Sequence, residues 1–168
     1  LTNDLLLAYP PVGDAKLERL VRLPMSLDLK VALDSSDVLE SVAAASAAAD
    51  RVIGILVEQD VGLGRVGVQS SAEVVRLASL ASSLDGVEFA GLMFYPGHIR
   101  VQKDEQTEAL ALVFEQLTDT YAALESAGFT AGIVSGGSTP TLWQSHAFPG
   151  LTEIRSGSCI FFDREGLA

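Results

Sequence analysis

At 168 residues, 48% of them hydrophobic, the chain is long enough to bury one sizeable core and too short to close a (β/α)8 barrel, which takes about 250 residues. Its formal charge of −11, with 11 Lys and Arg that form no basic run, excludes a nucleic-acid or acidic-membrane partner, because phosphate-rich surfaces are held by clustered cations. The single Cys159 excludes a disulfide framework, and with neither a basic leader nor the roughly 20 apolar residues that span a bilayer, the expectation is a cytoplasmic protein.

Asp4-Leu5-Leu6-Leu7-Ala8-Tyr9 is an apolar run stopped by Pro10-Pro11 and reads as a buried strand. Gly13 and the candidate N-cap Asp14 open a helix with Leu17, Leu20 and Val21 at helical spacing, and Pro24 closes it. Leu29 to Asp34 reads as the next strand. Asp37-Val38-Leu39-Glu40 then has the spacing of a capping box and introduces an alanine-rich helix ending near Asp50, whose small side chains let it lie close to a sheet. Residues 52–58 form a β-branched apolar run with no polar alternation, the pattern of a strand covered on both faces.

Ser70-Ser71-Ala72-Glu73 is a second capping-box candidate, followed by a stripe of Val74, Leu77, Ala78, Ala81 and Leu84 up to Asp85-Gly86. Val87 to Phe94 is again a strand. Asp104 starts the longest helix, with Leu110, Val113, Phe114, Leu117, Tyr121 and Leu124 on one face and Gly128 as its stop. Thr130–Val134 is a strand, Thr141–Ser145 a short helical stretch, Leu151–Ile154 a further strand and Ser158–Phe162 an extended segment. Strand and helix alternate through short joints, as in parallel βα units with right-handed crossovers. An open parallel sheet and part of a barrel both fit this pattern.

Loops beyond the C-terminal ends of parallel strands build ligand sites, and three such exits carry chemistry here. The first runs Glu58-Gln59-Asp60-Val61-Gly62-Leu63-Gly64-Arg65. The Arg65 guanidinium stays protonated, and it either pairs with Asp60 or Glu58 or serves a ligand. Glu58 and Asp60, two apart on a strand, point to one side, as a carboxylate pair or, in the simpler reading, as acceptors orienting Arg65 and His98.

The second exit, Tyr95-Pro96-Gly97-His98, offers a hydroxyl and a group titrating near neutrality, and a loop histidine bonded within its own turn is the plainer alternative. The third is Ser135-Gly136-Gly137-Ser138-Thr139-Pro140-Thr141. Tandem glycines let backbone N–H groups approach an anion, hydroxyls add donors, and a helix starting near Pro140 would aim its positive end at it. An ordinary strand-to-helix turn is again the alternative, and the loop is not a Walker loop, since no Gly-Lys-Ser/Thr follows. Asp34 and Asp163 are strand-end carboxylates of no assigned use, and His146 lacks comparable support.

Together the patterns Glu-x-Asp-x-Gly-x-Gly-Arg-x-Gly-Val, Gly-Leu-x-x-Tyr-x-Gly-His and Ser-Gly-Gly-Ser-Thr-Pro-Thr resemble the D-threonine aldolase and D-serine dehydratase group, over a span from about Asp4 to Asp163. These are pyridoxal-phosphate enzymes with the alanine-racemase type of (β/α)8 barrel. The resemblance decides for the barrel. It implies an α/β fold comprising an incomplete barrel, about strands three to eight, with residues 1–155 as a partial cofactor-binding barrel and residues 156–168 as the start of a C-terminal β-domain.

It further implies pyridoxal 5'-phosphate as cofactor, its phosphate held by Ser135, Gly136, Gly137, Ser138 and Thr139, and Arg65 aimed at the pyridine nitrogen so that the nitrogen stays unprotonated. Tyr95 faces the cofactor and, with His98, is the implied catalytic pair. The activity implied is that of a lyase, aldolase or dehydratase, on a small D-hydroxy-amino acid, in a homodimer. An amino-acid racemase of the same fold or a non-catalytic phosphate-ligand module is the alternative, while a flavodoxin-like or Rossmann-like domain is disfavoured by the lack of a Gly-x-Gly-x-x-Gly turn after the first strand.

The sequence also departs from that pattern. The lysine that carries the cofactor falls in a segment that would precede residue 1, and Lys16, Lys30 and Lys103 do not match it. The group's divalent metal, Zn or Mn, is held by a His with a Cys or Asp in the C-terminal β-domain, and no such ligands occur here. Cys159 stands where the group often has Tyr, in Gly157-Ser158-Cys159-Ile160-Phe161-Phe162-Asp163. The expectation is a barrel fragment, inactive alone, with two unpaired strand edges.

Overall fold

In the computed structural model, which describes residues 2–148 and 150–158, six strands make one parallel sheet in sequential order. They are β1 (Asp4–Leu7), β2 (Asp28–Leu33), β3 (Ile53–Gln59), β4 (Val87–Phe94), β5 (Ile133–Gly136) and β6 (Glu153–Ile154). Between them run α1 (Asp14–Val21), α2 (Ser36–Ala48), α3 (Ser71–Ser83), α4 (Thr107–Ser126) and the single turn α5 (Leu142–Ser145), with a 3-10 turn at Lys103–Glu105 ahead of α4. Sequential order with every neighbour parallel is the winding of a (β/α) barrel, here a partial one that leaves β1 and β6 as edges. No helix among the described residues is long and apolar enough to cross a membrane.

The strand nearest the middle is buried along its whole length, as its unbroken apolar run requires. Ile53, Ile55 and Val57 pack outward with Val31, Leu33, Leu39, Val42, Val74 and Leu77, filling the layer between the sheet and α1 to α3. Leu56 points the other way, to join Ala32 and Met93 on the inner face. A separate outer cluster of Phe94, Leu110, Val113, Leu117, Val134 and Phe148 seats α4 against β4 and β5. The small residues of α2 do bring it close: a Cβ at Gly86 (φ 81) would lie 2.4 Å from the Ala47 nitrogen.

Several boundaries differ from expectation for local reasons. The first strand leaves the ladder after Leu7, before the two prolines, so Ala8 and Tyr9 are free of it. Gly13 is the N-cap of α1, with Asp14 inside the first turn, and Ser35, not Asp37, caps α2 by accepting from the Val38 N–H at 3.3 Å. At α3 the predicted Ser70 cap forms, with Ser70 Oγ accepting from Glu73 N–H, while the Glu73 carboxylate accepts from Gln69 N–H, one residue before the N-cap. The helix expected from Asp104 is a 3-10 turn there and becomes α4 at Thr107.

The fifth strand runs Ile133–Gly136, not Thr130–Val134, so Ser135 and Gly136 belong to the sheet and not to the turn after it. Arg51, unremarked in the sequence, is 5% exposed and donates to the carbonyls of Leu23, Pro24 and Leu27 at 2.7, 3.0 and 3.2 Å, tying down the α1–β2 connection. Cys159, Asp163 and the extended segment predicted through Phe162, and with them most of the expected start of a C-terminal β-domain, lie outside the described residues.

Candidate active site at the C-terminal edge of the sheet

Strand register decides which exits meet. Glu58 pairs with Met93 across β3–β4, and Met93 pairs with Ser135 across β4–β5, so these three form one row at the C-terminal edge. Glu58 shares the parity of Leu56 and therefore points to the inner face, beside Met93 and above Ala32 and Leu56. Arg155, immediately after β6, donates from Nη1 to Ser135 Oγ at 3.1 Å. Arg65 lies over two tyrosines from different exits, its Cζ 5.6 Å from the Tyr9 ring centroid and 5.1 Å from that of Tyr95. A cleft of about 180 Å³ results, lined by Ala8, Tyr9, Glu58, Arg65, Met93, Tyr95 and Arg155.

The loop that carries Arg65 is held by its own backbone. Val68 donates to the Glu58 carbonyl at 2.9 Å and accepts from Asp60 N–H at 3.0 Å, folding residues 60–68 back onto the end of β3. A side chain at Gly67 (φ 107) would meet the Asp60 nitrogen at 2.4 Å, so glycine is required there. Asp34, at the β2 exit, accepts from Gly67 N–H at 2.8 Å and anchors the loop from the neighbouring strand. Asp60 does not orient Arg65 or His98 as the sequence suggested. The chain leaves the ladder after Gln59, and the Asp60 carboxylate turns to the N–H groups of Gly62 and Gly64. Burial pushes the Asp60 carboxyl up, but those N–H groups and the Gln69 amide outweigh it and hold it below the usual carboxylate range.

Glu58 is the opposite case. It is 3% exposed, its Oε2 has no hydrogen-bond partner, and no ion pair within 4.0 Å joins it to Arg65 or Arg155 among the described residues. Burial and the Asp34 charge push its carboxyl up to about 7, against the weaker pull of Arg65 and Arg155. The suggested Arg65 pairs with Glu58 or Asp60 are therefore not formed, and tyrosine faces take their place.

Tyr95 reaches the cleft because Gly97 makes room for it: a Cβ there would lie 2.2 Å from Tyr95 Cε1. His98 is exposed at the rim, its ring against Gly62 of the neighbouring exit, where an added Cβ would be 2.9 Å from His98 Cε1. Gly136 is demanded by the Phe94 ring, 2.1 Å from a built Cβ, and Gly137 (φ 81) by Ser145 Oγ at 2.6 Å. The Ser138 hydroxyl is buried on Thr141 Oγ1 at 2.9 Å, and Thr139 Oγ1 accepts from Ser158 N–H at 3.2 Å. The Ser138 hydroxyl and the acceptor oxygen of Thr139 are thereby spent within the protein. The N–H groups of Gly137 and Thr139 are not, since neither donates to any acceptor among the described residues.

Unspent backbone donors at Gly137 and Thr139, two guanidiniums, two aromatic faces and an apolar floor suit a flat, phosphorylated, aromatic ligand. Among the described residues no group of three His, Cys, Asp or Glu side chains stands close enough to hold a metal ion. A larger groove of about 420 Å³ between α1 and α2, lined by Leu17, Val21, Ala44 and Ala45 among others, lies on the outer helical layer, away from every strand exit.

The sequence matches the alanine racemase N-terminal domain family over residues 3–165. The chain belongs to that family. It is 33% identical to a D-threonine aldolase of an Arthrobacter species over 163 residues, covering 96% of this chain and 43% of that protein. A 3-hydroxy-D-aspartate aldolase of Paracoccus denitrificans (strain Pd 1222) is 30% identical over 167 residues, covering 97% and 43%. The crystal structure of a D-threonine aldolase from Filomicrobium marinum superposes with a TM-score of 0.91 at 29% identity, over 98% of this chain and 45% of that one. The chain thus spans less than half the length of each of these three relatives.

Within this racemase-domain barrel the three lysines stand away from the cleft. Lys30 is held at the opposite end of β2 by Asp4 and Asp28, at 2.7 and 2.6 Å, while Lys16 lies on α1 and Lys103 in the 3-10 turn. Two cleft residues escaped the sequence reading, Tyr9 and Arg155. Each directly follows or nearly follows a strand, the position that singled out Arg65 and Tyr95, and that placement alone could have found them.

Proposed function

We propose that the chain is the cofactor-holding part of a pyridoxal 5'-phosphate-dependent lyase that cleaves or dehydrates small D-hydroxy-amino acids. The observation that carries this reading is the convergence of Arg65, Tyr95, Arg155 and the Gly137 loop on one edge of a parallel sheet, in a chain of this family. When bound, the cofactor supplies an electron-withdrawing ring that stabilises negative charge at the substrate Cα.

The chain's own residues do the remaining work. The Gly137 and Thr139 N–H groups receive the phosphate where Ser135 and Gly136 end β5 and the turn begins, with Gly136 and Gly137 allowing the close backbone approach and Ser138 locking the turn through Thr141. Arg65 or Arg155 faces the ring nitrogen, and a permanently protonated guanidinium keeps that nitrogen without a proton. Arg155 is fixed by Ser135, whereas Arg65 is braced between Tyr9 and Tyr95 at the mouth, where it can also receive a substrate carboxylate. The Tyr95 phenol and the His98 imidazole hold and move a substrate proton, His98 from the rim and Tyr95 from the wall.

Trp143, the single tryptophan of the sequence, lies exposed on α5 just after the phosphate loop and reports on it. Pyridoxal 5'-phosphate should quench its fluorescence saturably, and pyridoxal without the phosphate should bind at least about tenfold more weakly, the loss of one charge-assisted cradle. Equal affinities for the two would overturn the reading, and so would failure of the full-length protein, with its cofactor lysine and the cofactor present, to release glycine and acetaldehyde from D-threonine or to deaminate a D-hydroxy-amino acid.

A further inference from the structure

We propose that the cleft takes up its doubly charged anion together with one proton, and that Glu58 is the residue that carries it. This rests on the reading above that the cleft binds a phosphorylated ligand. Glu58 lies in the inner row with Met93 and Ser135, buried at the floor between the exits that deliver Arg65 and Arg155, yet it bonds to neither cation. Both guanidiniums are engaged elsewhere, Arg155 on Ser135 Oγ and Arg65 on the faces of Tyr9 and Tyr95. The Glu58 Oε2 consequently has no partner, an arrangement that favours the neutral carboxylic acid over a buried carboxylate.

Each element packed around Glu58 contributes a charged or titratable group. Asp34 stands at the β2 exit and Asp60 at its own exit, and both oppose its ionisation, while Arg65 and Arg155 favour it. Tyr9 and Tyr95 flank the cleft, and His98 sits at the rim against Gly62. With Glu58 neutral the two guanidiniums are offset here by Asp34 and Asp60, and with Glu58 ionised a third negative charge is added at the floor. A dianion bound at the Gly137 loop, about two strand spacings or roughly 10 Å away, therefore prefers the neutral form. By linkage, binding the anion raises the Glu58 carboxyl further, and affinity falls as pH rises through the free protein's value of about 7.

Sulfate is the probe, because it keeps both charges throughout this range. Calorimetric titrations of the protein with sulfate between pH 6 and 8.5 should show affinity roughly constant below pH 7 and falling above it with a slope of at most about tenfold per pH unit, while proton uptake per sulfate rises from near zero at pH 6 toward one above pH 7. E58Q should bind with a flat pH profile, and H98Q should retain the slope. A flat wild-type profile, or a slope that survives in E58Q and vanishes in H98Q, overturns the assignment while leaving the cofactor reading in place. No saturable sulfate binding at pH 6 removes both. Carboxyl 13C spectra of the wild type give a check that needs no variant: the Glu58 midpoint should move up when sulfate saturates, and an unmoved midpoint refutes the linkage.

Discussion

Glu58 also makes a quantitative demand on folding stability. Its carboxyl titrates near its ordinary value of 4.5 in the unfolded chain and near 7 in the folded protein. Between those values the folded state binds the proton that the unfolded state has lost, so stability falls as pH rises from about 4.5 and levels off above about 7. The gap of roughly 2.5 pKa units, at about 1.4 kcal/mol each, is worth roughly 3 to 4 kcal/mol in full. Replacing Glu58 by Gln keeps the shape and removes the titration. Urea unfolding of wild type and E58Q at pH 5, 6, 7 and 8.5 isolates the effect, since every other group cancels in the difference. The variant should gain on the wild type by roughly 2 to 3 kcal/mol between pH 5 and pH 8.5, with unchanged m-values. Parallel stability curves would refute the reasoning, and would mean that Arg65 and Arg155 close onto Glu58 in solution and stabilise its charge.

Two further outcomes test how the site is held. Arg51→Met removes the donors to the Leu23, Pro24 and Leu27 carbonyls and should lower stability by roughly 3 kcal/mol, read from the urea midpoint, with ligand quenching of Trp143 unchanged in the fraction that stays folded. Gly67→Ala forces a side chain into a positive-φ position 2.4 Å from the Asp60 nitrogen and should cost about 2 kcal/mol or more. Because the 60–68 loop must move to admit it, pyridoxal 5'-phosphate affinity should drop along with stability, whereas Arg51→Met separates the two.

Much of the barrel was legible because its strands are buried on both faces, and such strands announce themselves by composition. Val87–Phe94 is read to the residue, and 52–58 is displaced by one residue at each end from Ile53–Gln59. Among the misread strands β5 bears most on the site: its last residues, Ser135 and Gly136, carry no apolar signal, and they are in the sheet because Met93 and Glu153 pair with Ser135 and Ile154 pairs with Gly136, the β6 partners lying 18 positions later. The same limit governs the site. Period-2 alternation placed Glu58 and Asp60 on one side, but alternation holds only while the chain stays in the ladder, and it leaves at Gln59. Glu58 therefore goes inward alone.

Which residues become its neighbours is a matter of strand order, not of local pattern. Sequential parallel winding brings every exit to one edge, so Tyr9, Asp34, Arg65, Tyr95 and Arg155, drawn from residues 9 to 155, surround a single carboxyl. Each is ordinary where it stands in the chain. Two cations near a buried acid would ordinarily be expected to neutralise it by pairing, as the sequence reading supposed for Arg65. They do not, because a serine hydroxyl and two aromatic rings hold both guanidiniums at the walls of the cleft. What distinguishes this site from an ordinary ion-pair network is that separation, since it keeps two positive charges available to an anion and leaves the acid between them free to hold a proton.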